Sequence, residues 1–385
     1  MFGKYLKYPF ELPNLLRAMP PSLAVRCSID YVASRIREKL APTRVRSYKD
    51  WFIELYGKRL YEIMCYPYTS KIWHMDPSRI SADWAEQRFG GPNVRKLIEK
   101  SIKKLLSLDF SRYDLEDDSL APDGGEFYYP GLGYQELPDS FAKEASEYGA
   151  SIVCDVTVGD IDTKKKIISY VRDQSKLHVG YHVLISTIPI PALYALGDRR
   201  DIRTESRMKK TRYMDIIFVY IFLDIPRNSN DHWIYFPDRE ILFNRAVEFT
   251  NWSKKMAPCG KTVSCFDTTW YWGDSIWQQT DASLVKRTID DASRVGYLPK
   301  DHVIGSFVKR QRFAYPVYDL RYKKRLTHIV SFLEKRDVYL LGRTGIFRYN
   351  NSDNSIEMAL ILAQNFIDNA ETKSIFGYTI RQVSL

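Results

Sequence analysis

The sequence predicts an α/β (α+β) chain in which a mainly helical region precedes a parallel sheet and a mixed or antiparallel one. Three observations predict it. Apolar residues recur at helical spacing through much of the first hundred residues. Short strand-like runs bounded by Gly, Pro and Asp crowd the stretch from 126 to 270. Near the end, a short apolar run at 338–341 meets a glycine-containing loop and then a helical pattern.

The 385 residues are enough for two or three packed layers, or two domains sharing an interface. A hydrophobic content of 45% beside 27% charged residues suits a folded chain rather than a disordered one. Aromatic residues make up 14%, enough to build an aromatic core and to offer flat surfaces to a ring-shaped ligand. Cys27, Cys65, Cys154, Cys259 and Cys265 are odd in number and widely spaced, so free thiols in a reducing, cytoplasmic setting are expected. No CxxC pair occurs, and His178 and His182 flank Gly180 ahead of a strand, which argues against a metal site. No apolar run reaches the length of a transmembrane helix, and the first residues have no signal-peptide core. A net charge of +10 suits an anionic partner. The basic clusters at 164–166, 207–212 and 321–325 read singly as solvated faces, so nucleic-acid binding is the weaker reading.

In chain order, residues 15–40 carry a helical period through Ala24, Cys27 and Tyr31. Ser47 is placed to start a helix through Trp51, Phe52 and Leu55, and Pro67 and Pro77 are expected to interrupt the pattern. A turn opens at Ser81, a basic amphipathic helix is expected over 94–108, and 114–125 reads as a loop. Residues 126–130 look like a strand, 137–148 a helix, and 151–158 with 166–171 a hairpin. The apolar run 182–188 stops at Pro189 and reads as a buried strand ending where α/β sheets place ligands. Strands are expected over 214–223, 233–236, 245–249, 262–270 and 338–341, and helices over 281–296 and 356–369.

The segment 342–355 is the most informative. Gly342, Arg343 and Gly345 follow the run 338–341, and Asp353 or Asn354 can cap the final helix, with Glu357 three residues beyond Asn354. A capped helix start preceded by glycines exposes backbone N–H groups and the positive end of the dipole, which suits a phosphate or a developing negative charge. By spacing alone, a purely structural strand–turn–helix is the default.

Gly342-Arg343 followed by Arg348, Tyr349, Asn350, Asn351, Asp353 and Ser355 resembles the C-terminal flavin motif of FAD-dependent amine-oxidase-like and protoporphyrinogen-oxidase-like proteins; UDP-galactopyranose mutases carry a related one. Arg59, Pro67, Lys71 and Trp73, followed by Asp83, Trp84, Gln87 and Arg88, look like the helical segment of those proteins. Tyr129-Pro130 through Gly133, Gln135 and Leu137 resembles their strand, Gly-turn and helix, and Ile185-Ser186-Thr187 with Pro189 their strand end near the cofactor. Arg245 and Tyr315-Pro316 resemble substrate-side segments.

The resemblance implies an FAD-binding Rossmann-like sheet. It places Gly342 and Arg343 against the flavin and its phosphates, Asn351, Asp353 and Ser355 at the helix start by the ring, and Val158 on the adenine side. Taken alone, Val158 is an ordinary strand residue. Arg245, Tyr315 and Tyr349 are substrate-side candidates, while Lys71, Tyr66 and Tyr68 read as structural or exposed.

One departure stands out. Such proteins open with a strand, a G-x-G-x-x-G turn and a helix that holds the pyrophosphate. This sequence contains no such motif; residues 131–136 lack the third glycine. Phe2 to Phe10 resemble a point well inside those proteins, so the unit is expected to be missing and the parallel sheet to lose its central strand.

The expected organisation is a helical substrate-side region at 1–125, an FAD-binding-like segment at 126–200, a β-rich substrate side at 201–330, a C-terminal FAD segment at 331–370 and a tail at 371–385. Three functions fit. One is an FAD-dependent oxidoreductase, inactive alone for want of the dinucleotide unit, acting on a small-molecule substrate. Another is a mutase-like isomerase of an anionic sugar nucleotide. The third is a split-gene product completed by a partner chain, or a remnant without catalysis. No catalytic base can be named from the sequence.

Overall fold

The computed structural model describes residues 18–41, 44–89, 128–197, 201–368 and 375. They fall into two units, Met1–Tyr128 and Tyr129–Leu385, taken in turn. The helix expected over 94–108, the loop at 114–125, side-chain features of Arg88, and the tail apart from residue 375 lie outside the described residues.

The first unit is helical. Helix α1 (Pro21–Leu40) begins with proline, whose missing N–H costs nothing at a helix start. It buries Cys27 against Met19, Leu60 and Met64. Helix α2 (Tyr48–Tyr56) starts at Ser47 as expected: the Ser47 hydroxyl accepts from Asp50 N at 3.1 Å and the Asp50 carboxylate from Ser47 N at 3.0 Å. Pro67 does not break the path. A π-turn, Tyr61–Cys65, runs directly into α3 (Tyr66–Trp73), so the proline stands in the first turn of α3, where its lost hydrogen bond is absorbed. Helix α4 is Ala82–Phe89. Tyr48, Phe52, Trp73 and Trp84 form the aromatic core, with Lys71 and Thr69 buried beside it.

In the second unit, helix α5 (Glu136–Glu147) precedes a meander of β1 (Thr157–Asp162), β2 (Ile167–Arg172) and β3 (Ser175–Gly180). The hairpin was legible, but its first strand lies later than expected: residues 151–156 are outside any strand. Residues 128–130 are likewise not a strand. Next, β4 (Leu184–Ser186) pairs in parallel with β10 (Val338–Leu340), and helices α6 (Ile190–Leu196) and α7 (Ile202–Met208) follow β4.

A five-stranded antiparallel sheet is the largest element. It has the order β6 (Trp233–Tyr235), β7 (Arg245–Glu248), β8 (Thr262–Trp270), β5 (Tyr213–Leu223), β9 (Val303–Pro316). Alternation on β5 decides its faces. Ile217, Val219, Ile221 and Leu223 are buried with Phe266, Leu284 and Ala292 under helix α8 (Asp281–Arg294), each such side chain stabilising by roughly 1.5–3 kcal/mol. Phe218, Tyr220 and Phe222 point to the opposite face, where Tyr220 stacks on Phe307 at 4.2 Å. Helix α9 (Tyr322–Glu334) packs on β10; the short helix α10 (Gly342–Gly345) and α11 (Ser352–Ile367) complete the described chain. The helices and mixed sheets are those of the α/β class that the pattern predicts.

Candidate functional site

The site is built where β4 and β10 end side by side. Leu341 N donates to Ser186 O at 2.9 Å, and the chain then turns through Gly342 at φ +73°, a conformation that glycine adopts without strain. Helix α10 lies directly on the end of β4. A Cβ placed on Gly345 would stand 2.7 Å from Ser186 O and 2.9 Å from Thr187 Cα, so only glycine permits this approach. Thr344 Oγ1 donates to Thr187 O at 2.9 Å. Tyr213, at the start of β5, donates its hydroxyl to Thr344 O at 2.7 Å and accepts from Ile190 N at 3.3 Å. Burial pushes its phenol up.

Arg343 leaves this turn and is held on several sides. Its Nη1 donates to Asn350 O at 2.7 Å and its Nε to Ala314 O at 3.3 Å. Its guanidinium lies 4.4 Å from the Tyr349 ring centre and 4.9 Å from that of Tyr315, and the two rings stack at 5.8 Å. Arg245 on β7 pairs with Asp267 on β8 at 2.6 Å. Burial raises the Tyr315 phenol; Arg245 and Arg343 pull it back down, while Asp267 and Tyr349 push it up. Two arginines, a carboxylate and two tyrosines therefore share one neighbourhood.

The Ala314 carbonyl is in place because β9 bulges. Met214 pairs with Tyr315, but Ile216 pairs with Gln311, so three residues of β9 stand opposite Asp215. Phe313, at the centre, has φ +58° and donates its N–H to the buried Asp215 carboxylate at 2.7 Å. Burial raises the pKa of Asp215; the Phe313 N–H and Arg312 act against it.

Helix α11 starts earlier than expected. Asn351, not Asp353 or Asn354, is its N-cap, and Asn351 N donates to Asn354 Oδ1 at 3.3 Å. Asp353 lies exposed in the first turn, where its charge suits the positive helix end. Ser355 Oγ accepts from Asn350 Nδ2 at 3.1 Å, tying it to the residue whose carbonyl holds Arg343. Asn350 Oδ1 is buried with no hydrogen-bond partner. Thus Gly342, Arg343, Tyr315, Tyr349, Arg245 and Ser355 come together around one turn and one bulge. Val158 does not join them; it pairs with Tyr170 in the meander and is half-exposed.

Sequence reasoning missed Tyr213, Asp215 and Asp267. For the two aspartates a signal existed: each interrupts an apolar strand, and a charge there needs a partner.

A flavin ring suits part of this arrangement. Gly342 and Gly345 let backbone come close, a sixteen-residue helix presents its positive end, and the unsatisfied Asn350 Oδ1 is an acceptor awaiting a donor. The phosphates fit less well. The helix after β4 begins Pro189-Ile190-Pro191; the prolines have no N–H, and Ile190 N is taken by Tyr213. Among the described residues no G-x-G-x-x-G turn opens a helix after a strand.

No family model matches the chain. Among solved structures it is similar to a reduced UDP-galactopyranose mutase, at 20% identity and a TM-score of 0.79, covering 99% of this chain and 79% of that one. The chain shares that structure's fold. A putative protoporphyrinogen oxidase from Exiguobacterium sp. 255-15 is similar at 14% identity and a TM-score of 0.63, over 89% of this chain and 71% of its own. A putrescine oxidase double mutant follows at 13% and 0.55, over 95% and 78%. No helix among the described residues is long and apolar enough to cross a membrane.

Proposed function

We propose that this chain forms the ring side of an FAD site in an oxidoreductase of the amine-oxidase or protoporphyrinogen-oxidase kind. The observation that carries the reading is the junction at Gly342–Gly345, where a helix start and the Arg343–Tyr315–Tyr349 stack meet the end of β4. When bound, a flavin supplies hydride transfer. The chain's own groups orient it: Gly342 and Arg343 lie along it, while Asn351, Asp353 and Ser355 set the electrostatics of the helix start. Arg245, Tyr315 and Tyr349 border the substrate, a small molecule.

Among the described residues the phosphates find no cradle, so the diphosphate of FAD is expected to add little affinity. Titrating the protein with riboflavin and with FAD, following flavin fluorescence, tests both statements. The expected result is similar and weak binding of the two, with dissociation constants above about 10 μM, equivalent to roughly −7 kcal/mol. Binding of neither sinks the flavin reading; FAD binding a hundredfold tighter than riboflavin sinks the missing cradle.

A second reading, a mutase-like sugar-nucleotide enzyme, is favoured by the TM-score of 0.79 to the mutase over almost the whole chain. Arg245 and Arg343 are its cations for a diphosphate, although Asp267 neutralises the first and two carbonyls hold the second. If flavin-loaded, reduced protein yields no furanose form from UDP-galactopyranose, this reading fails.

A further inference from the structure

We propose that Asp267 is the charge-selecting residue of the site: by holding Arg245 in a closed pair, it turns the substrate side against a diphosphate. This selection rests on the reading of Arg245, Tyr315 and Tyr349 as the border of the substrate.

Sheet register brings the pair together. Tyr235 on β6 stands opposite Arg245 on β7, Arg245 opposite Asp267 on β8, Asp267 opposite Phe218 on β5, and Phe218 opposite Lys309 on β9. Directly opposed residues share a face, so these five side chains form one row across the sheet. The row lies on the face turned away from α8, because the alternate residues Ala246, Phe266 and Ile217 are the ones buried in the core beneath that helix. Within the row, Arg245 Nε donates to Asp267 Oδ2 at 2.6 Å, and the two side chains are 32% and 8% exposed. Lys309 is exposed and lies two strands from Asp267, about 10 Å by strand spacing, so it does not compete for the carboxylate.

A structural role alone explains the pair poorly. An ion pair drawn out of water stabilises no better than apolar side chains of equal volume. Here it stands on the face opposite the apolar core and beside Tyr315, whose phenol is raised by burial, lowered by Arg245 and raised again by Asp267. A diphosphate is a multiply charged anion and leaves water only for cations with open donors. Asp267 cancels the charge of Arg245. Arg343 already turns Nη1 and Nε to the carbonyls of Asn350 and Ala314. A sugar-nucleotide enzyme needs Arg245 open; an oxidoreductase of an uncharged small molecule does not.

The test uses the full chain without flavin and inorganic pyrophosphate as the probe, titrated by calorimetry at low and at high salt. Wild type and Arg245→Gln are expected to bind it equally weakly, through the general basic surface. Asp267→Asn keeps the shape of the side chain, frees the guanidinium, and is expected to bind at least about tenfold tighter, a gain that shrinks with salt. The double variant Asp267→Asn with Arg245→Gln is expected to return to the wild-type value. Near-UV circular dichroism reports folding; if Asp267→Asn does not fold, Asp267→Thr, a residue suited to strands, carries the same expectation. Three results overturn the proposal: no gain in the folded Asp267 variant, a gain that persists in the double variant, or weaker binding by Arg245→Gln than by wild type. Riboflavin titration of the same proteins separates this from the flavin reading. Riboflavin binding without the pyrophosphate gain sinks the charge selection alone, whereas the gain without riboflavin binding supports the selection and counts against the flavin.

Discussion

Replacing Gly345 by alanine isolates the closest backbone approach in the site. The new methyl would lie 2.7 Å from Ser186 O, 2.9 Å from Thr187 Cα and 3.1 Å from Thr187 C. All three are backbone atoms of the β4 end, so no side chain can swing aside. The residue does not have positive φ, and the effect is therefore one of packing rather than backbone strain. Overpacking costs about 1–3 kcal/mol, and two contacts below 3.0 Å place this change near 3 kcal/mol. With a urea slope of about 3 kcal/mol/M, the midpoint should fall by about 1 M. Gly197→Ala is the control: its methyl would sit 3.5 Å from the nearest atom, an ordinary contact, and the midpoint should hold within about 0.2 M. Equal midpoints for wild type and Gly345→Ala would refute the close approach on which the site rests.

Other perturbations act on the same framework. Tyr213→Phe leaves Thr344 O and Ile190 N without their shared hydroxyl and should cost about 1–3 kcal/mol in urea unfolding. Arg343→Lys cannot reproduce the paired carbonyl bonds or the guanidinium stacking on Tyr315 and Tyr349; it should lower stability by about 1–3 kcal/mol in urea unfolding and weaken riboflavin binding in the same titration. For Asp215, burial raises the folded pKa above the ordinary 3.8, so the folded state holds a proton that the unfolded state has released. Its contribution is fully present below 3.8 and is lost as pH rises through the folded value. Asp215→Asn keeps an acceptor for Phe313 N and removes that dependence, so its stability relative to wild type should rise with pH above the normal carboxylate range. Asp215→Ala loses the acceptor as well and should cost about 1–3 kcal/mol at low pH, a cost that shrinks as pH rises through the folded value.

Features fixed by local chemistry were legible in the sequence. Ser47 with Asp50 marked a helix start, Pro189 marked the end of β4, and the apolar alternation of 214–223 and 262–270 marked the two central strands. The longest strand was not. β9 reads Val303-Ile304-Gly305-Ser306 and then Lys309-Arg310-Gln311-Arg312; as an edge strand it buries little, so no hydrophobic period announces it. Its bulge depends on Asp215, far away in the chain, and no local pattern encodes it. Helix α9 was hidden by the basic run at 321–325, in which Arg321 and Lys324 are exposed and Arg325 pairs with Asp319, while Leu326, Ile329 and Val330 are buried. In the site, the turn at Gly342 and the grouping of Arg343, Tyr349 and Ser355 could be read because they are neighbours in sequence. The Arg245–Asp267 pair and the approach of Gly345 to Ser186 could not, because register and sheet order create them.

The claim that Gly342–Ser355 is the ring side of a flavin site is tested most directly by hydrogen exchange of the full chain with and without saturating riboflavin. The account predicts slowed exchange concentrated at 342–355 and at the end of β4, with the first meander strand around Val158 unchanged. Unchanged exchange at 342–355 in the presence of bound riboflavin, with slowing elsewhere, would contradict it.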